Sequence, residues 1–412
     1  MHSSFKRLGS TALYCLIFLG LSLPLSATAM GSKPGKTPEK SAVPVDMPKD
    51  LEALLAKTLQ DVSENRLDVA MQDVEAMLRA YPNFRLAHLI RGDLLMAKAR
   101  PINHIGNANG ASQQTADLRD EIRVRLQYLK EKVPNGRIPK YLLQLQPEQR
   151  YAVVVDTSKA RLYLFKNNDG EPHYVTDYYV SSGKAGAEKF KEGDQKTPLG
   201  VYFVTSSLPR SQLSDFYGVG AFPISYPNEW DRRLGKNGHG IWLHGVPSDT
   251  YSRPPRASNG CVVLTNPDMG KLGKNLQIGL TPVIISDRVE WADPKELTTQ
   301  RSELNHALET WRKDWESLDT DKYLRHYSQS FSAAGQDYRS WAEQKRMVNA
   351  GKSRLKVKVA NVSMFAYPGN GNLAVVTFDQ DYDSNNLKNQ MRKRQYWKQE
   401  NGEWRILYEG GA

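Results

Sequence analysis

From residue 50 to about residue 98 the apolar positions recur with a helical period. Leu51, Leu54, Leu55 and Leu59 share one face. Val74, Met77, Leu78 and Tyr81 share a second, which Pro82 ends, and Phe84, Ala87, Ile90, Leu94 and Leu95 share a third. Residues 67–81 and 83–98 therefore predict a helical hairpin. One hairpin cannot bury its own apolar face, so it must pack on a neighbouring segment or on a second copy of the chain. A homodimer through this region and packing on the next domain both stand open. Pro101 to Gln114 is polar, with Gly106 and Gly110, and reads as a loop. Residues 117–130 are helical again, with Leu126 and Leu129 apolar, and Pro134-Asn-Gly136 closes the region.

At about Arg150 the pattern changes to strands. Residues 151–156, 161–165, 174–180 and 281–286 are runs of β-formers, and Asp169-Gly170 is a tight turn. Residues 196–204 combine a turn with a strand, and 217–231 is rich in aromatics and proline with few helix signals. Residues 298–330 return to a helical stripe carrying Leu304, Leu308, Trp311 and Trp315. Strands at 355–365, 372–382, 391–399 and 403–408 follow, the last two joined by Asn401-Gly402. The expected chain is multidomain: a helical region at 49–149, a mostly β domain at 150–287, and an α+β domain at 298–412.

Two residues carry candidate chemistry. His244 ends the strand-like run Ile241-Trp-Leu-His-Gly245, and Cys261 sits in Ala257-Ser-Asn-Gly-Cys-Val-Val-Leu264. Only a thiolate attacks well at neutral pH, so a nucleophilic cysteine needs a base, and His244 is the candidate. The amides of Gly260 and Cys261 are candidates for an oxyanion hole. Read singly, Cys261 is equally a small buried hydrophobe and His244 a core histidine bonded to a carbonyl.

The N-terminus changes that balance. Residues 1–29 read as a secretory signal: Lys6 and Arg7, an apolar core from Ala12 to Leu23, and the cleavage pattern Ala27-Thr-Ala29. A retained anchor is the alternative. Residues 30–48 are rich in Lys, Pro, Ser and Gly and read as a disordered leader. Of the two cysteines, Cys15 lies inside the signal, so the exported chain keeps Cys261 alone. A lone thiol in an oxidising compartment has no disulfide partner, which favours a reactive role. Losing Lys6 and Arg7 lowers the formal charge from +11 to about +9, the balance of a protein that meets an anionic polymer. The basic residues are scattered, which argues against nucleic acid. No His-Glu-x-x-His pattern occurs and the remaining histidines lack ligand spacing, so neither a metal site nor a cofactor is expected.

Four motifs in order, Gln195-Lys-Thr-Pro-Leu-Gly200, Tyr217-Gly-Val-Gly-Ala-Phe-Pro223, Ile241-Trp-Leu-His-Gly245 and Ser258-Asn-Gly-Cys261, resemble the L,D-transpeptidase catalytic domain of the YkuD type, over roughly 150–287. Residues 298–412 resemble the NTF2-like α+β cone, and the 67–98 hairpin resembles a tetratricopeptide unit. The combination is similar to the L,D-carboxypeptidases that set cell shape in helical bacteria. The resemblance implies a periplasmic enzyme acting on peptidoglycan stem peptides, with Cys261 as nucleophile, His244 as base, the Gly245 carbonyl orienting it, and Gly260 and Cys261 supplying the oxyanion hole. It implies substrate contacts at Ser258, Asn259, Tyr217 and Phe222. Where the family pattern has arginine, two residues after the cysteine, this chain has Val263. Arg253 and Arg256 are candidates to replace it. Trp311, Trp315, Tyr323 and Trp341 would line a cone pocket or pack as core.

The expected reaction is trimming of tetrapeptide stems to tripeptides. Formation of 3–3 cross-links, or attachment or release of a lipoprotein, uses the same chemistry. A non-catalytic wall-binding scaffold is the reading from a different class.

Overall fold

A computed structural model describes residues 50–99 and 113–412. The expected signal, the leader and most of the polar loop, with His104, lie outside the described residues. Among the described residues no helix is long and apolar enough to cross a membrane.

Four helices open the described chain: α1 (Leu51–Ser63), α2 (Leu67–Ala80), α3 (Arg85–Ala97) and α4 (Gln113–Lys130). The Asp50 carboxylate caps α1 by accepting the Ala53 amide at 3.1 Å. Leu55, Leu59, Val74, Met77, Phe84, Ala87 and Ile90 pack into one cluster with Ile122 of α4 and Tyr251 of the middle region. The apolar face of the hairpin is therefore filled from within the chain, by α1, α4 and an aromatic of the next domain. Leu95, expected on that face, is instead exposed.

The middle region is strand-rich. One five-stranded sheet runs in the order Glu171–Tyr179, Arg161–Asn168, Tyr151–Asp156, Pro282–Ser286, Gly200–Phe203. A four-stranded sheet runs Val262–Val263, Trp242–His244, Gly220–Pro223, Leu208–Pro209. Helices α5 (Glu229–Arg233) and α6 (Asn266–Gly273) lie in the connections. The strands Tyr151–Asp156, Pro282–Ser286 and Gly200–Phe203 of the five-stranded sheet are buried on both faces, which is why they read as continuous apolar runs. Val153, Val155, Leu162, Leu164, Val283 and Ile285 pack toward Leu243 and Val262 of the smaller sheet and Met269 of α6. Their neighbours in the alternation, Ala152, Val154, Tyr163, Phe165 and Ile284, pack with the C-terminal region.

That region holds α7 (Pro294–Glu316), α8 (Thr320–Leu324), α9 (Tyr338–Ala350) and a sheet in the order Leu142–Gln144, Leu355–Tyr367, Asn370–Ser384, Lys388–Glu400, Glu403–Gly411. The meander matches the expectation, and Asn401 and Gly402 both take positive φ, 52° and 82°, as the tight hairpin requires. Its first strand comes from residues that the pattern grouped with the helical region. Three residues are too few to show a period, so Leu142–Gln144 is recognised only by its pairing with Met364 and Phe365. The aromatics expected around a cone pocket are packed on one another: Trp315 stacks on Tyr323 at 5.4 Å, and Trp341 lies 4.2 Å from Tyr327.

Candidate active site

The strand Trp242–His244 runs parallel to Val262–Val263, with Leu243 opposite Val262 and His244 opposite Val263. Side chains alternate along a strand, so Leu243 enters the core while Trp242 and His244 face the other side. Cys261, two residues before Val263, shares that side. His244 is 1% exposed and Cys261 is half-buried.

His244 is held in one orientation. Its Nδ1 donates to the Gly245 carbonyl at 2.6 Å, which leaves Nε2 unprotonated and able to accept. Gly245 has no room for a side chain, since a Cβ would lie 2.2 Å from Asn266 Oδ1. That oxygen accepts the amides of Val219 and Val246, each at 3.2 Å. The rings of Tyr217 and Phe216 pack on the imidazole at 5.1 and 5.9 Å.

The turn before the thiol is tied just as closely. Ser258 Oγ donates to the Cys261 carbonyl at 2.6 Å and accepts the Gly260 amide at 3.0 Å. Gly260 adopts φ +125°, and a Cβ there would lie 2.7 Å from the Lys196 carbonyl, so only glycine fits. Thr197 Oγ1 donates to the Gly260 carbonyl at 3.0 Å and accepts the Gly183 amide at 2.8 Å. The thiol donates to the Gly240 carbonyl at 3.4 Å. Among the described residues no hydrogen bond joins Sγ to His244, a looseness common before substrate arrives.

Arg253 stands beside this pair. Its guanidinium lies 4.7 Å over the Phe216 ring, and its backbone carbonyl accepts from Tyr179 Oη at 2.8 Å. It forms no ion pair among the described residues, and its charge acts on both His244 and Cys261. The loop that carries it is gripped by the helices. Tyr251 lies between Tyr81 and Phe84, at 4.7 and 4.5 Å, and Ser252 donates to the buried Glu121 at 2.7 Å. Arg125 bridges Glu121 and Glu52 and lies 3.8 Å over Tyr179.

The structure sorts the expected contacts. Tyr217 is at the site. Ser258 is buried, so it shapes the turn and cannot reach a ligand. The Gly260 amide is bound to Ser258, which removes it from an oxyanion hole. Phe222 pairs with Leu243 on the core side and packs on Gly273, away from His244. Asn259 and Arg256 are exposed. Val263 is 2% exposed, and its amide and carbonyl both bond to Ser181, each at 2.9 Å. Thr197, Asn266, Phe216 and Lys189 were not singled out. Thr197 lay within a quoted motif, whereas Phe216 and Lys189 have no pattern that marks them. The Lys189 ammonium is buried and bonds to Asp194 at 2.7 Å, and its charge favours the Cys261 thiolate.

Burial dominates the titration. It lowers the His244 pKa from 6.5 to about 4, with the charge of Arg253 acting in the same direction. Burial also raises the Cys261 thiol, offset in part by the Trp242 amide, Arg253 and Lys189. At neutral pH the resting pair is thus thiol and neutral imidazole, not an ion pair. The unprotonated base persists down to about pH 4, so the acid limb of a kcat/KM profile is expected there. A midpoint at the solvated value of 6.5 would contradict a buried, neutral His244. Between those two values the unfolded chain binds the His244 proton first, so this residue makes stability fall as pH drops through that window.

Comparison with known proteins gives two domain matches. The family model for the L,D-transpeptidase catalytic domain matches residues 150–285, and that for the Cds6 C-terminal NTF2-like domain matches residues 303–410. Bd1075 of Bdellovibrio bacteriovorus is 31% identical over 67% of this chain and 98% of its own, with a TM-score of 0.59. The helical cell shape determining protein Pgp2 of Campylobacter jejuni is 25% identical over 69% of this chain and 98% of its own, with a TM-score of 0.57. No match was found among curated protein sequences.

Proposed function

This chain belongs to the L,D-transpeptidase (YkuD) family, joined to an NTF2-like C-terminal domain, and from that premise we propose that it is a thiol-dependent L,D-carboxypeptidase trimming peptidoglycan tetrapeptide stems to tripeptides. His244 Nε2 takes the thiol proton as Cys261 Sγ attacks the carbonyl of the third stem residue. The Cys261 amide, with the Gly260 amide engaged elsewhere, stabilises the oxyanion. Collapse of the tetrahedral intermediate breaks the bond to terminal D-alanine, whose amine receives the proton from His244. Water then adds to the thioester with His244 again as base, releasing the tripeptide and restoring the thiol. The reading puts the enzyme in the periplasm, exported by the signal expected at 1–29.

The observation that carries this reading is the pairing of a buried Val263 with a free Arg253. A valine sealed against Ser181 offers no charge to a ligand. The Arg253 guanidinium, over the Phe216 ring that packs on His244 and without an ionic partner among the described residues, offers one fork for one carboxylate. One anchor suits a reaction that holds one stem. The purified enzyme given disaccharide tetrapeptide is expected to release D-alanine and tripeptide. Dominant 3–3-linked dimer, or exchange of D-alanine for another D-amino acid, would replace hydrolysis by transfer. Arg253→Ala is expected to raise KM on the order of tenfold or more, the cost of one charged hydrogen-bonding contact. An unchanged KM would remove Arg253 from substrate binding.

A further inference from the structure

A cavity of about 660 Å³ opens between α3, α4 and the loop that carries Arg253. Arg85 and His88 of α3 form one wall, Asp117 and Glu121 of α4 another, and Ser252 and Arg253 the third. Arg253 belongs to this cavity, and its guanidinium lies over the Phe216 ring that packs on His244, so the cavity borders the candidate site.

Its lining says what it can hold. No Phe, Tyr or Trp lines it, so it lacks the broad ring face on which a sugar stacks. It carries both signs of charge. Glu121 is already spent on Arg125 and Ser252. Arg85 is exposed and, like Arg253, forms no ion pair among the described residues. Asp117 of α4 lines the same cavity, bonded to the neutral Gln113 side chain. A cation from α3 and an anion from α4 in one cavity fit an end group that carries a carboxylate and an ammonium together. A ligand with carboxylates alone would meet Asp117, and one with an ammonium alone would leave Arg85 unused. The volume, within the usual range for ligand sites of roughly 300–1,000 Å³, far exceeds what one released alanine needs.

We propose that this cleft between the helical region and the Arg253 loop binds the side-chain end of the third stem residue, a diamino diacid, through Arg85 and Asp117. This rests on the peptidase reading and deepens it: the helical region becomes part of the substrate site, selecting stems by the charge of the residue whose carbonyl is attacked.

The test separates the cleft from the chemistry. Full-length Cys261→Ala protein is titrated with two disaccharide tetrapeptides that differ only at position 3, one bearing free meso-diaminopimelate and the other its side-chain carboxamide. The free acid is expected to bind on the order of tenfold more tightly. Adding Arg85→Ala should remove that preference by weakening the acid alone, and Arg85→Lys should restore part of it. In the active enzyme, Arg85→Ala should raise KM for the free acid and leave kcat and the carboxamide unchanged. Arg85 is exposed, so its loss does not open a core. Equal binding of the two ligands by the Cys261→Ala protein, or equal weakening of both by Arg85→Ala, would overturn the proposal. A binding preference in a protein that releases no D-alanine would retain the cleft and discard the peptidase reading.

Discussion

Cys261→Ala is expected to abolish D-alanine release, by at least about 10⁴-fold, while leaving the fold intact. The thiol contributes little to stability: its hydrogen-bond partner is the Gly240 carbonyl, at a long 3.4 Å, and the side chain is half-buried. The turn that presents it is held by Ser258 and Thr197, which alanine at 261 does not touch. His244→Gln should cost less, on the order of 10²–10⁴, because it removes the proton acceptor and leaves the nucleophile. In protein lacking residues 1–29, iodoacetamide should label Cys261 and nothing else. Full turnover by the alanine variant, measured with unchanged thermal unfolding, would end the thiol mechanism and restore the wall-binding scaffold as the leading reading.

Removing residues 298–412 is expected to prevent folding of the catalytic region, not merely to weaken wall binding. The outer face of the five-stranded sheet, including Val154, Tyr163, Phe165, Val201, Phe203 and Ile284, shares one core with Phe365, Tyr367 and Trp311. Uncovering such side chains costs about 1.5–3 kcal/mol each. The sum is on the order of 10 kcal/mol, comparable with the whole stability of an ordinary domain. Polar groups would be stranded as well. Arg394 pairs with Glu229 of α5 at 3.0 and 3.2 Å, Tyr396 donates to Glu229 at 3.0 Å, and Asn228 donates to Tyr367 at 3.2 Å. The strand Leu142–Gln144 would lose its partner altogether. A truncated protein that unfolds cooperatively near the full-length temperature would show that the two regions are independent after all. Limited proteolysis gives a second reading: the full-length protein should resist cleavage near residue 293, whereas two loosely joined domains would be separated there.

The sequence alone determined the alternation of regions and the two groups on which the proposed chemistry rests. Helical, strand and helix-then-strand periods are local properties, set by which face of each element must be buried. The His244 and Cys261 motifs are local too, because a small-residue turn before a thiol and a strand ending in histidine can be read without knowing their neighbours. Tertiary structure decided the rest, through contacts between residues far apart in the chain. Apolar runs such as 151–155 announce burial on both faces but not the partner on each, and only the fold shows that one partner is the C-terminal domain. Phe222 and Tyr217 belong to one motif, yet strand register sends Phe222 to the core and leaves Tyr217 at the imidazole. Ser258 reads as a substrate contact until its hydroxyl is seen to close the turn. Periodicity fixes which side of an element is buried, and long-range packing fixes what lies against it.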